Sequence, residues 1–342
     1  MMTLQATLSA KWSDVADRHP FLRLVAKWGI PAASLIGGIA TLLLFRRGLD
    51  FVPWIIGYVL LLWLAGVVFA QARQSFEAKG RRLVVLAYDL TIQNFYQDLF
   101  LFLLPIYYAS TTLTSANVWV FLLMIAGALV TTIDPWYQVT VVRYRWAGRL
   151  FFTFALFVSL NVALPLIRVR PGWALTLAGL LSALALFPAF RTPTRSWRDV
   201  GLRVAVLAVF VVSFLWLVRD WIPPAPLHLA RATCARAVAD LAPVDPVSTA
   251  SVSDLQSWGG LSCYTAVYAP SGLREEIYHV WKKEGRTITT VALSPIKGGR
   301  AEGFRTYSRK SDFGPNPAGR WRVDVLTSSG QLIGRVRFAI TP

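Results

Sequence analysis

Seven stretches of the chain are apolar over most of a membrane's thickness, and a series of short alternating segments follows them. The apolar stretches are 28–45, 51–72, 83–108, 118–133, 150–167, 173–190 and 202–218. A spanning helix needs about 20 such residues, so the pattern predicts an α-helical polytopic membrane bundle of about seven spans. Trp28, Trp54, Trp119, Trp136, Trp173 and Trp221 lie near the ends, where interfacial aromatic belts sit. Beyond Pro223-Pro224-Ala225-Pro226 the period becomes two. Segments 229–238, 261–269, 275–283, 287–293, 303–309, 320–327 and 332–340 read as strands. In the last two, Trp321, Val323 and Val325 alternate with Arg320, Arg322 and Asp324, and Val336, Phe338 and Ile340 with Arg335 and Arg337. Ser328-Ser329-Gly330-Gln331 between them suits a hairpin loop. Seven short strands predict an all-β, immunoglobulin-like antiparallel sandwich over 225–342. A stiff proline-rich hinge would join it to a transmembrane domain over 1–222.

Composition narrows the classes. The 342 residues are 55% hydrophobic and 15% charged, which excludes disorder and disfavours an ordinary soluble enzyme. A net charge of +17 would suit a nucleic-acid binder, but a mean hydropathy of +0.49 does not. The charge falls as +11 before the prolines and +6 after them. Segments 1–27, 73–82, 134–149 and 191–203 hold 15 Lys and Arg, against 5 on the alternate side. The positive-inside rule then puts the N-terminus in the cytoplasm. Seven spans would carry the C-terminal domain to the periplasmic side of a bacterial inner membrane; six would leave it inside. Residues 1–20 lack the apolar core of a cleavable signal. Cys234 and Cys263, the only cysteines, both lie in the C-terminal part. They read either as a disulfide formed in an oxidising compartment or as two buried thiols.

The third stretch is polar in its middle. At helical spacing Asp89, Gln93, Tyr96 and Gln97 share one face, and Asn94 with Asp98 extends it. One reading is an ion, proton or substrate path, or a catalytic pocket facing the membrane. The others are an amphipathic stretch on the cytoplasmic surface, or polar glue between helices.

Nothing in the C-terminal part spells a known catalytic or metal motif. His279 and His228 have no metal-ligand spacing, and two cysteines 29 positions apart make no zinc site. Ser308 lacks the glycines of a nucleophile elbow. No cofactor is expected, and an enzyme is the less favoured class. The runs His279-Val280-Trp281, Gly303-Phe304-Arg305-Thr306-Tyr307-Ser308-Arg309-Lys310, Gly319-Arg320-Trp321-Arg322-Val323 and Gly330-Gln331-Leu332-Ile333-Gly334, closing on Phe338, carry a resemblance. Over roughly 260–342 they resemble the bacterial domain-of-unknown-function family 2914. The resemblance implies a domain carried at the end of a multi-pass membrane protein, and no activity.

What remains is a basic, aromatic surface. Arg305, Tyr307, Arg309 and Lys310, with Trp281 and His279 nearby, are the candidate binding residues. Such a surface would take an anionic polymer, lipid headgroups, a glycan or an acidic envelope protein. Equally, alternating strands expose their charges to water while the tryptophans fill a core. Membrane lipids are the expected surroundings, and nucleic acid is not an expected partner. The leading expectation is a membrane protein presenting a periplasmic sandwich that binds a protein or an anionic or glycan component. The alternative is a transporter or intramembrane enzyme using the third stretch.

Overall fold

A computed structural model describes residues 82–190 and 195–342. Among the described residues the long helices come before the strands: α1 (Arg82–Ser110), α2 (Val118–Thr132), α3 (Arg145–Leu166), α4 (Pro171–Leu184) and α5 (Trp197–Leu217). They run up and down, with α1 packed on α2 and α3, and α4 between α3 and α5. Their core is apolar, with Leu99, Phe100, Leu103, Met124, Leu156 and Leu175 fully covered. Small residues set the spacing. A Cβ on Gly127 of α2 would come within 3.0 Å of the Phe100 ring, and one on Gly179 of α4 would collide with Leu215 of α5. Close approach of this kind is what holds helices together where no hydrophobic effect separates protein from lipid. The outer face of α5 is apolar too: Leu202, Val206, Val209, Phe210 and Leu217 are exposed.

The expectation of about seven spans is corrected. Among the described residues two helices are long and apolar enough to cross a membrane, Arg145–Leu166 and Trp197–Leu217. The pair Val118–Thr132 and Pro135–Val142, bent by 108°, makes at most a third. Hydropathy misled for two reasons. α1 is long, but its polar middle breaks the apolar window. α2 and α4 have 15 and 14 residues, hence lengths of about 22 and 21 Å, short of a hydrocarbon core of about 30 Å. The stretches at 28–45 and 51–72 lie outside the described residues. Two helices that could cross a membrane are consistent with a membrane protein.

The rest is β-rich. One sheet has the order β2-β1-β4-β9 and the other β3-β11-β10-β6-β7. The strands are β1 (His228–Ala239), β2 (Ala242–Val247), β3 (Thr249–Ser251), β4 (Leu261–Tyr268), β6 (Ile277–Lys283), β7 (Arg286–Ala292), β9 (Phe304–Lys310), β10 (Gly319–Thr327) and β11 (Leu332–Thr341). A small ribbon of β5 (Arg274–Glu275) and β8 (Ile296–Lys297) lies apart. The two large sheets share a core in which Cys234, Leu261 and Cys263 meet Trp281, Trp321, Val323 and Phe338. The all-antiparallel, all-β expectation is corrected as well. β3 runs parallel to β11, and a helix, α6 (Val252–Trp258), follows it. β2 was not anticipated because Pro243 and Pro246 interrupt it; as an edge strand it tolerates them. The helix did leave a sign. Ser251 and Asp254 form a reciprocal capping box, with Gly259 left-handed at its end.

The two regions are locked together rather than hinged. The proline segment 222–227 is buried. Asn161 of α3 donates to the Pro223 carbonyl at 3.2 Å and to the Tyr107 hydroxyl of α1 at 3.1 Å. The loop joining β10 and β11, with the first residues of β11, docks into the helix ends. Gln331, wholly buried, donates to the Ile222 carbonyl at 3.1 Å. Asn117 donates to the Leu332 carbonyl at 3.4 Å, and Arg335 to the Thr114 carbonyl at 3.1 Å.

Candidate functional site

His279 and Trp281 do not lie on a surface. Both are wholly buried between the sheets, and they converge on Ser308 of β9. The Trp281 indole N–H donates to Ser308 Oγ at 3.0 Å, Ser308 Oγ lies 2.8 Å from His279 Nδ1, and His279 Nε2 lies 2.9 Å from Thr265 Oγ1. With Ser308 Oγ accepting from the indole, its own proton can go to Nδ1, and Nε2–H then donates to Thr265 Oγ1. Burial pushes the imidazole down to about 4, so it is neutral at pH 7. A serine within reach of a histidine is the beginning of a nucleophile–base pair. Here both members are covered, Ser308 retaining 4% exposure, and both ring nitrogens are already engaged. The network holds the sheets in register.

The register also puts Cys234 opposite Cys263 on β1 and β4, with Cα atoms 4.0 Å apart, and the two form a disulfide. Ser308 is the next residue across, on β9.

The basic residues of β9 do alternate outward, as Arg305, Tyr307 and Arg309, while Thr306 and Ser308 face the core. Most of their charge is occupied locally. Arg305 pairs with Glu302. Arg309 donates to the Trp258 carbonyl at 2.6 Å, to Ser262 Oγ at 3.3 Å and to the Arg236 carbonyl at 3.4 Å. Lys310 turns the other way, donates to Thr289 Oγ1 at 3.2 Å and lies over the Phe313 ring. Tyr307 stays exposed. A shallow cavity of about 350 Å³ opens between the β1–β2 turn at Asp240 and Leu241 and residues 300–303 with Arg305.

A second basic surface lies on the outer face of the five-stranded sheet. Registration places Lys282 of β6, Arg322 of β10 and Arg337 of β11 in one row across three neighbouring strands. One step along, Asp324 faces Arg335. Asp324 is 2% exposed and is the acid for the whole group. Lys282 Nζ lies 3.0 Å from it, Arg322 Nε 3.6 Å, and Arg335 grips both its oxygens. The sequence showed these residues facing outward, but not that they share one row.

The polar face of α1 divides. Gln93 and Gln97 turn into the bundle at 3% and 1% exposure, Asn94 is half-buried, and Asp98 is exposed. Gln93 donates to the Thr131 carbonyl of α2 at 2.9 Å, and the buried Gln97 amide nitrogen has no hydrogen-bond partner among the described residues. Asp89 falls within α1, with its side chain outside the described residues. At the junction with the β region, buried Glu275 accepts from Ser328 N–H at 3.0 Å and Ser328 Oγ–H at 2.6 Å. Burial raises its carboxyl above the usual range, opposed by those bonds and by Arg170. Among the described residues no three His, Cys, Asp or Glu side chains gather as a metal ion would require.

The model of a family of unknown function, DUF5924, matches residues 6–261. The chain belongs to the DUF5924 family. A second model, the protein of unknown function DUF2914, matches residues 274–340. The boundary between the two matches does not follow the architecture. DUF5924 takes in the helices together with β1, β2, β3 and α6, while DUF2914 takes in β5 to nearly the end of β11. The core shared by the two sheets is therefore assembled from both. No curated protein and no solved structure matches the chain.

Proposed function

We propose that this DUF5924 protein is a membrane-anchored recognition protein. Its helices hold the β region at the outer surface of a bacterial inner membrane, where it binds an anionic component of the envelope. The observation that carries the reading is the docked β10–β11 loop. With the first residues of β11 it joins the β region to the helix ends at Thr114, Asn117 and Ile222. A region held this way presents its faces at a fixed height instead of searching on a tether.

Three further observations support the placement without any count of spans. Exposed Trp119, Trp173 and Trp221 lie at the helix ends beside the β region, and exposed Trp136, Trp146 and Trp197 at the opposite ends. Trp197 and Trp216 on α5 are 19 residues apart, about 28 Å, close to the thickness of a hydrocarbon core. The opposite ends carry Arg143, Arg145, Arg149, Arg195, Arg198 and Arg203, against Arg168, Arg170 and Arg219 beside the β region. The positive-inside rule makes the first set cytoplasmic. The disulfide suits an oxidising compartment.

A reporter fused to the C-terminus of the full chain, with thiol labelling of Cys234 and Cys263 before and after reduction, tests this. Periplasmic reporter activity and labelling only after reduction are expected. A cytoplasmic signal would overturn the placement.

Gln97 favours a second reading, in which the interior of the bundle handles a polar solute. A buried amide with no partner is costly in an apolar interior. In a deletion strain, Gln97→Leu would then fail to complement while Arg337→Gln succeeds; the recognition reading expects the reverse.

A further inference from the structure

We infer that the outer face of the five-stranded sheet holds a binding site for a phosphate-bearing anion, formed by Lys282, Arg322 and Arg337. This deepens the recognition reading and rests on it for the source of the ligand.

The argument begins with the row itself. Lys282, Arg322 and Arg337 lie directly opposite one another on three hydrogen-bonded strands. Neighbouring strands are about 4.8 Å apart, so three positive charges stand side by side. Like charges directly opposite each other are destabilising, and sheets ordinarily avoid them. The local carboxylate does not balance the row. Asp324 is gripped by Arg335 on one side and touched by Lys282 on the other. With Lys282, Arg322, Arg335 and Arg337 against that single acid, the group keeps a clear positive excess.

Lys282 leans on Asp324, but the two arginines keep donors free among the described residues. Arg322 lies 3.6 Å from Asp324, beyond a hydrogen bond, and its buried Nε has no acceptor among the described residues. Arg337 makes no hydrogen bond or ion pair among the described residues and is exposed. Arg309 on the opposite face is different, because backbone carbonyls take its donors. Lys282 and Arg322 are sheltered, with side-chain exposures of 21% and 31%, so an anion there would be partly desolvated. Two guanidinium forks and an ammonium on one plane suit a tetrahedral oxyanion, which offers several oxygens at once.

Position then selects the source. Arg335, one step along the strands from the row, reaches the Thr114 carbonyl in the loop that ends α1. One step is two residues, about 7 Å. The row therefore stands just above the helix ends, where Trp119 at the start of α2 is exposed. That is the height of a phospholipid headgroup, although a free phosphate would meet the same donors.

The test uses the detergent-solubilised full chain. Native mass spectrometry with equal phosphatidylglycerol and diacylglycerol reads lipid retention, and calorimetry with inorganic phosphate reads the free anion. Retention of phosphatidylglycerol is expected, weakened about tenfold in Arg322→Gln/Arg337→Gln. The exposed control Arg286→Gln, at the start of β7, should leave it unchanged. Should the double variant fold poorly, Arg337→Gln alone, an exposed change, carries the comparison. Phosphatidylglycerol retained without measurable phosphate binding assigns a headgroup. Phosphate bound without preference for the phospholipid assigns a free anion, and both results support the site. No preference and no phosphate binding, or binding unchanged in the variants, overturns it. That failure would leave the topology result standing, so the two readings fail separately.

Discussion

The β region carries two basic faces, and they use the same residue type for opposite ends. On β9 the arginines serve the fold: Arg309 closes over the carbonyls of Trp258 and Arg236, and Arg305 meets its neighbour Glu302. On the five-stranded sheet, Lys282, Arg322 and Arg337 gather faster than acids can answer them, and Asp324 alone anchors the group. Charge visible in a sequence thus says little about recognition. What matters is whether each donor already has an acceptor at home. An arginine bound to carbonyls adds stability and has few donors left to offer, whereas an unpartnered one adds strain and keeps its donors for a ligand.

That contrast can be broken by substitution. The largest effect is expected from Asp324→Asn, which leaves Arg335 and its neighbours without their buried counter-charge. Removing one partner of a buried pair costs about 3 kcal/mol or more. The thermal midpoint of the full chain should fall clearly, and an unchanged midpoint would mean that the acid does not organise this face.

The next effect belongs to the core between the faces. His279 has its pKa depressed to about 4, against 6.5 for the free side chain. Between those values the unfolded chain binds a proton that the folded chain refuses, so stability falls as pH drops from about 6.5 to about 4. The loss is about 3 kcal/mol at the lower end. His279→Gln should flatten that part of the pH profile; a profile of unchanged slope would place the acid sensitivity elsewhere.

Arg309→Ala should cost about 1–2 kcal/mol through its lost bonds to carbonyls and leave phosphate binding intact. Reduced binding in this variant would erase the distinction between the faces. The smallest change in stability is expected from Arg337→Gln, within about 0.5 kcal/mol and in the stabilising direction, because it relieves a like-charge row. Its effect should appear in binding alone. Clear destabilisation in chemical unfolding would show that Arg337 holds the sheet together.

Much of the β region was legible. β10 and β11 kept their alternation because each has one face in the core, with Trp321, Val323, Val336 and Phe338 covered and the arginines opposite. β2 was not legible, because its prolines read as a turn, and α6 was passed over despite its capping box. The helical region was read less well. Apolar runs are necessary for a span but do not fix its length, and α2 and α4 end too soon. The polar positions of α1 were visible, but their division was not: Gln93 and Gln97 turn inward and Asp98 outward once α2 and α3 are packed against one side.

The candidate site shows the same boundary. Sequence by itself determined which residues alternate, where the apolar runs lie and where the charge accumulates, because these follow from local periods of two and 3.6 residues. Only the tertiary structure decided that His279 and Trp281 are core, that the proline segment is buried, and that Lys282, Arg322 and Arg337 form one row. The reason is physical. Arg322 and Arg337 face each other across one hairpin but Lys282 comes from a strand much earlier in the chain, and the register of β6, β10 and β11, set by burying Trp281, Trp321 and Phe338 together, brings the three side by side.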